Sequence, residues 1–144
     1  MVWNPCYQVH IDRVERIQKR FLYHLAFADN KCHLLKSYQE RVTYYKMRSL
    51  KIRRKIADIT FLYKLIHGII DAPDVLSRIS ISIPRTGSRL HNRKPFHLPC
   101  FRTNLGQHSP IYRMCSFAND VRSKIDIFAH GSIASFKHKL MYLE

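Results

Sequence analysis

Between Leu50 and His67 the chain sets Ile52, Ile56, Ile59, Leu62, Tyr63, Leu65 and Ile66 at helical steps. So wide an apolar face must be buried, and it predicts a helix over 50–67. Gly68 follows where a left-handed residue ends a helix. Other segments repeat the pattern. Ile11, Val14, Ile17, Phe21, Leu22 and Leu25 mark a helix from about Ile11 to Asp29–Asn30, with Arg13, Arg16, Lys19 and Arg20 opposite. Asp12 and Glu15 then fall in its first turn, where the helix dipole favours negative charge. Leu35, Tyr38, Val42 and Tyr45 mark a helix from Leu34 to Met47. Asp71 is positioned to cap a short helix ending near Arg78. Ser109–Pro110 reads as an N-cap followed by proline at the first helical position. Ile111, Cys115, Ala118, Val121 and Ile125 continue that helix, and a last one starts near Ser132 with Ile133, Phe136 and Leu140 inward.

One stretch breaks the helical period. Ile79 to Ile83 alternates strictly and predicts a strand closed by Pro84. Phe96, Leu98 and Phe101 are candidates for an antiparallel return, with Pro99 restricting it to an edge. From Pro84 to Pro110 the chain carries four prolines, two glycines and no acid. Long weakly periodic segments in compact domains tend to be functional or disordered. The reading is therefore a mainly α fold: about five helices, one short β-hairpin and a long basic loop. A length of 144 residues suits one domain, here with a helical part to residue 78, a strand and loop over 79–108, and a helical part over 109–144.

The charge balance directs the functional reading. Lys and Arg number 25 against 10 Asp and Glu, a net +15, which favours a polyanionic partner, RNA or DNA first. Two basic surfaces stand out. Arg48, Lys51, Arg53, Arg54 and Lys55 surround the start of the third helix, the wrong sign for that end of the dipole, so the site calls for a compensating anion. Arg85, Arg89, Arg93, Lys94 and Arg102 lie in a stretch free of acids from Val75 to Asn119. Phe96, Phe101, His91 and His97 are interleaved with them and suited to stacking on bases.

The sequence offers little for catalysis. It has no GxxxxGK[ST], GxGxxG, GxSxG or HExxH pattern, and its acids form no DxD or DD pair for two-metal chemistry. Cys6 with His10, and Cys32 with His33, are two unlike half-pairs rather than zinc spacing. No metal ligand and no cofactor is expected. Cys6, Cys32, Cys100 and Cys115 read as reduced, mostly buried thiols. The opening MVWNPCYQVH lacks signal-peptide character, and the most apolar stretch, ITFLYKLIHGII, is interrupted by Lys64 and His67. The expectation is a nuclear or cytoplasmic protein with no membrane partner.

Several segments resemble a known family. VWNP followed by DRVERIQKRFLYHL is similar to the region just after the catalytic core of non-LTR retrotransposon reverse transcriptases of the Jockey/CR1-like type. RVTYYKMRSLKIRRKIADITFLYKLIHGIIDAPDVLSRI resembles a later stretch of those enzymes, and FHLPCFRTNLGQHSPIYRMCSFAND resembles their F-x-x-P-x-x-RTN, SP-x-x-R and N-D elements. The resemblance runs in order from Val2 to about Phe136. It implies the end of the thumb and the segment beyond it, with the metal-binding polymerase motif lying upstream of Val2. It further implies contact with element RNA or target DNA, the rest of the reverse transcriptase as a second partner, and no catalytic residue in this chain. A protein-interaction module, or a functionless remnant of a truncated element, is the alternative.

Overall fold

A computed structural model of the chain describes residues 4–82, 94–129 and 131–141. It is mainly α-helical: α1 Gln8–Ala28, α2 Tyr38–Tyr44, α3 Leu50–Ile66, α4 Pro73–Leu76, α5 Asn104–Gln107, α6 Pro110–Val121 and α7 Ile133–Met141. The described residues form two compact units, 4–54 and 55–141. The division falls inside α3.

In the N-terminal unit α1 packs on α2. α1 begins three residues before the expected Ile11, so neither Asp12 nor Glu15 lies in its first turn. Its buried residues are Gln18, Leu22 and Ala26, spaced four apart, whereas Ile17 and Phe21 are 68% and 55% exposed. Gln18 is drawn inward because its Nε2 donates to the Arg48 carbonyl at 2.9 Å. α2 is shorter than the Leu34–Met47 expectation at both ends. Ser37 fixes its start: the hydroxyl accepts from Glu40 N–H, and the Glu40 carboxylate accepts from Ser37 N–H, a reciprocal cap. Lys46, at φ 50°, turns the chain out of the helix.

The C-terminal unit holds the larger core. Ile59, Leu62, Tyr63 and Leu65 of α3 pack with Ile79, Phe96, Met114, Cys115, Ala118, Ile125, Ile127, Phe136 and Leu140. Tyr63 stacks on Phe136 with centroids 4.1 Å apart, and its hydroxyl donates to the Gly131 carbonyl at 2.7 Å, so the phenol is buried with its polar end satisfied. Gly68 is left-handed, at φ 65°, as the end of α3 requires. Ser109 caps α6 through Tyr112 N–H with Pro110 in the first turn, as expected. Ser132 accepts from Ser135 N–H at the start of α7. Asp71 does not cap α4: the N-cap is Ala72, with no side-chain bond, and Pro73 opens the helix.

The strand expectation over 79–83 reduces, among the described residues, to one antiparallel bridge between Ile81 and Phe96. It is flanked by Ser82 N–H to Pro95 C=O at 2.8 Å and His97 N–H to Ser80 C=O at 2.9 Å. The physical reason it does not widen is Asn119. Its Oδ1 accepts from Phe96 N–H at 3.0 Å and its Nδ2 donates to Phe96 C=O at 2.9 Å. A helix side chain thus takes the place a further strand would occupy. Ile83 and the loop residues up to Arg93 lie outside the described residues. α5 was not anticipated; Thr103 caps it through Gly106 N–H at 3.4 Å.

Candidate nucleic-acid interface

The start of α3 differs from the anion-seeking site its charges suggest. Glu15 of α1 already occupies it: Oε1 accepts from the Lys51 backbone N–H at 3.0 Å. Oε2 accepts from the Tyr38 hydroxyl at 3.4 Å, and burial, then the Glu15 charge, raises the Tyr38 phenol above its ordinary value. The compensating anion is therefore internal, supplied from one helix to the N-terminus of another.

The five basic residues around this helix start do not share one fate. Lys51, Arg53 and Lys55 are exposed, and the Lys55 ammonium lies 5.2 Å from the centroid of the Phe117 ring. Arg48 is half-buried. Arg54 is only 7% exposed; its Nε donates to Leu50 C=O at 3.1 Å, and its Nη1 is buried without a hydrogen-bond partner among the described residues. Arg54 is a packed side chain and is withdrawn from the surface set. Helical periodicity explains the difference: Arg54 shares its face with buried Asp58, four residues on.

Of the loop set, Arg85, Arg89 and Arg93, with His91, lie outside the described residues. Lys94 and Arg102 are exposed. Phe96 does not take the stacking role expected of it. It is 1% exposed and stacks against Phe128 with centroids 5.7 Å apart, so it serves the core and offers no face to a base. Phe101 is half-buried and meets Tyr112 edge-on with centroids 5.7 Å apart.

Phe101 and Tyr112 belong to a feature that sequence reasoning missed. A cavity of about 260 Å³ is lined by Arg78, Ser80, His97, Leu98, Pro99, Phe101, Ser109, Ile111, Tyr112 and Cys115. Phe101 reaches its place because Gly106 has no side chain: a Cβ there would lie 2.5 Å from Phe101 Cγ. On the floor, burial pushes the Cys115 thiol up to about 11, so it is a neutral apolar surface at ordinary pH. The four cysteines are unpaired thiols, but burial holds for Cys115 alone: Cys32 is half-buried, and Cys6 and Cys100 are exposed on segments that, among the described residues, pack against nothing apolar enough to cover them. Among the described residues no three His, Cys, Asp or Glu side chains come together as metal ligands.

No family model matches the chain, and no curated protein or solved structure matches it. Among the described residues no helix is long and apolar enough to cross a membrane.

Proposed function

We propose that the chain is a non-catalytic nucleic-acid-binding segment of a non-LTR retrotransposon reverse transcriptase, contacting element RNA or target DNA. One observation supports the nucleic-acid part: six of the ten acids already have partners within the chain. Asp12 accepts from Gln8, Glu15 from Lys51 N–H, Asp29 from Tyr45, Glu40 from Ser37 N–H and Asp126 from Phe128 N–H. Asp58 pairs with Arg113 at 3.3 Å. Five of these six carboxylates serve caps, amides or phenols, so exposed Lys51, Arg53, Lys94 and Arg102 keep their charge for an external anion. Descent from a reverse transcriptase rests on the sequence resemblance.

Binding of the full chain to single- and double-stranded DNA and RNA, titrated over salt, tests the reading. Affinity is expected to fall on a log–log plot by about 0.7–0.9 per phosphate neutralised. Lys51→Ala with Arg53→Ala, both exposed, lowers affinity for either form and makes the slope shallower. Absence of binding at low salt, or a flat salt dependence, rejects it.

A second reading as a protein-interaction module draws on α1, where Val9, Ile17, Phe21 and Phe27 are each more than half exposed. Sedimentation distinguishes the two, since an interaction face of this kind drives association that rises rather than falls with salt.

A further inference from the structure

We propose that the cavity beside α6 takes one unstacked base of a single-stranded nucleic acid, an inference that rests on the nucleic-acid reading above. At about 260 Å³ the cavity is slightly smaller than the ~300–1,000 Å³ typical of sites for drug-sized ligands. It suits one flat heterocycle and little more. Phe101 and Tyr112 supply aromatic surface, and Leu98 and the protonated Cys115 thiol supply an apolar floor. Ser80 and His97 supply hydroxyl and imidazole groups that suit the polar edge of a base.

The charge around the cavity favours a nucleotide over a neutral aromatic ligand. Every lining residue comes from the stretch between Asp74 and Asp120, which contains no acid. Arg78 is exposed, and its guanidinium has no hydrogen-bond or ion-pair partner among the described residues. Its planar fork suits the phosphate flanking the inserted base. Ser109 and Ile111, from the start of α6, also line the cavity. Ser109 Oγ already accepts from Tyr112 N–H and Pro110 has no N–H, leaving the Ile111 N–H as the donor of that first turn with no partner among the described residues. A paired base in a duplex cannot enter such a pocket without being extruded, so the site distinguishes single strands from double strands.

The test uses the full chain, a short single strand carrying one 5-iodouracil, the same strand with that position abasic, and a duplex. Irradiation of the iodinated strand is expected to crosslink Phe101, Tyr112 or His97, mapped by mass spectrometry of the peptides. Phe101→Ala weakens single-strand binding roughly five- to a hundredfold, the loss of one stacked base, and leaves duplex binding unchanged. Ser80→Trp, which fills the mouth while keeping Phe101 and Arg78, produces the same selective loss. The abasic strand binds wild type and Ser80→Trp equally. If the strand binds but crosslinks map elsewhere, or both variants bind it as wild type does, the pocket assignment is overturned and the nucleic-acid reading stands. If the wild type binds neither strand nor duplex at low salt, both fall together.

Discussion

Asn119 clamps the Phe96 backbone, and the cost of replacing it follows directly from that geometry. Its amide closes both polar groups of the Phe96 backbone, at 3.0 and 2.9 Å, in a site where Asn119 is 4% and Phe96 1% exposed. Asn119→Ala strands one buried donor and one buried acceptor. Each unmet group costs about 1–3 kcal/mol, so the expected loss for the two is about 2–6 kcal/mol, a large part of the ~5–15 kcal/mol that holds a domain together. Asn119→Asp is the sharper variant. Its carboxylate still accepts from Phe96 N–H, but the second oxygen faces Phe96 C=O. Protonation turns that oxygen into a donor, so the penalty shrinks as the pH is lowered and grows as it rises past the ordinary carboxylate range. Urea unfolding at pH 4.5 and 7, with hydrogen exchange at the Phe96 amide, measures both effects; these two pH values are chosen to bracket roughly the upper edge of carboxylate titration. An Asn119→Ala chain within about 0.5 kcal/mol of wild type, with the Phe96 amide still protected, refutes the clamp.

Glu15→Gln removes the charge at the start of α3 and is expected to destabilise the N-terminal unit by about 1–2 kcal/mol; an unchanged urea midpoint contradicts this. Gly106→Ala improves helix propensity by about 1 kcal/mol, but the new methyl meets Phe101 Cγ at 2.5 Å and Cβ at 2.7 Å, so net destabilisation of up to about 2 kcal/mol is expected, read by thermal melting. Cys115, with its thiol near 11 against an ordinary 9.0, should be the last cysteine alkylated by iodoacetamide at pH 8, after exposed Cys6 and Cys100, as followed by peptide mass spectrometry. The folded thiol holds its proton more tightly than the unfolded one, so its contribution is whole below pH 9 and is lost as the pH rises through 11. Primer extension on an RNA template with the purified chain is expected to yield no magnesium-dependent product.

The helices were legible where pattern and punctuation agreed. α3 ends at Ile66 before Gly68, and α6 opens at Ser109–Pro110, because a left-handed glycine and a serine–proline start act locally. α1 was legible as a helix, but not in its inward face: Gln18 rather than Ile17 is buried because of a hydrogen bond to Arg48, thirty residues away. Arg54 and Phe96 left the expected interface for the same kind of reason. Charge and aromaticity suggest a surface role, and only the packing shows that both side chains are covered. The cavity was not legible at all, because its walls come from segments spread over residues 78 to 115. Gly106 was its one local trace, a glycine inside a four-residue helix.

The continuity of α3 across the two compact units has a consequence for cooperativity. At 17 residues it is about 25 Å of unbroken helix. A cut between Arg54 and Lys55 would leave five residues on one side and twelve on the other, at or below the ~12–15 residues an isolated helix needs to persist in water. Neither unit therefore owns a self-sufficient copy of the segment. The twelve residues from Lys55 to Ile66 are instead held by the core contacts of Ile59, Leu62, Tyr63 and Leu65, so their helicity is expected to vanish together with that core and not before it.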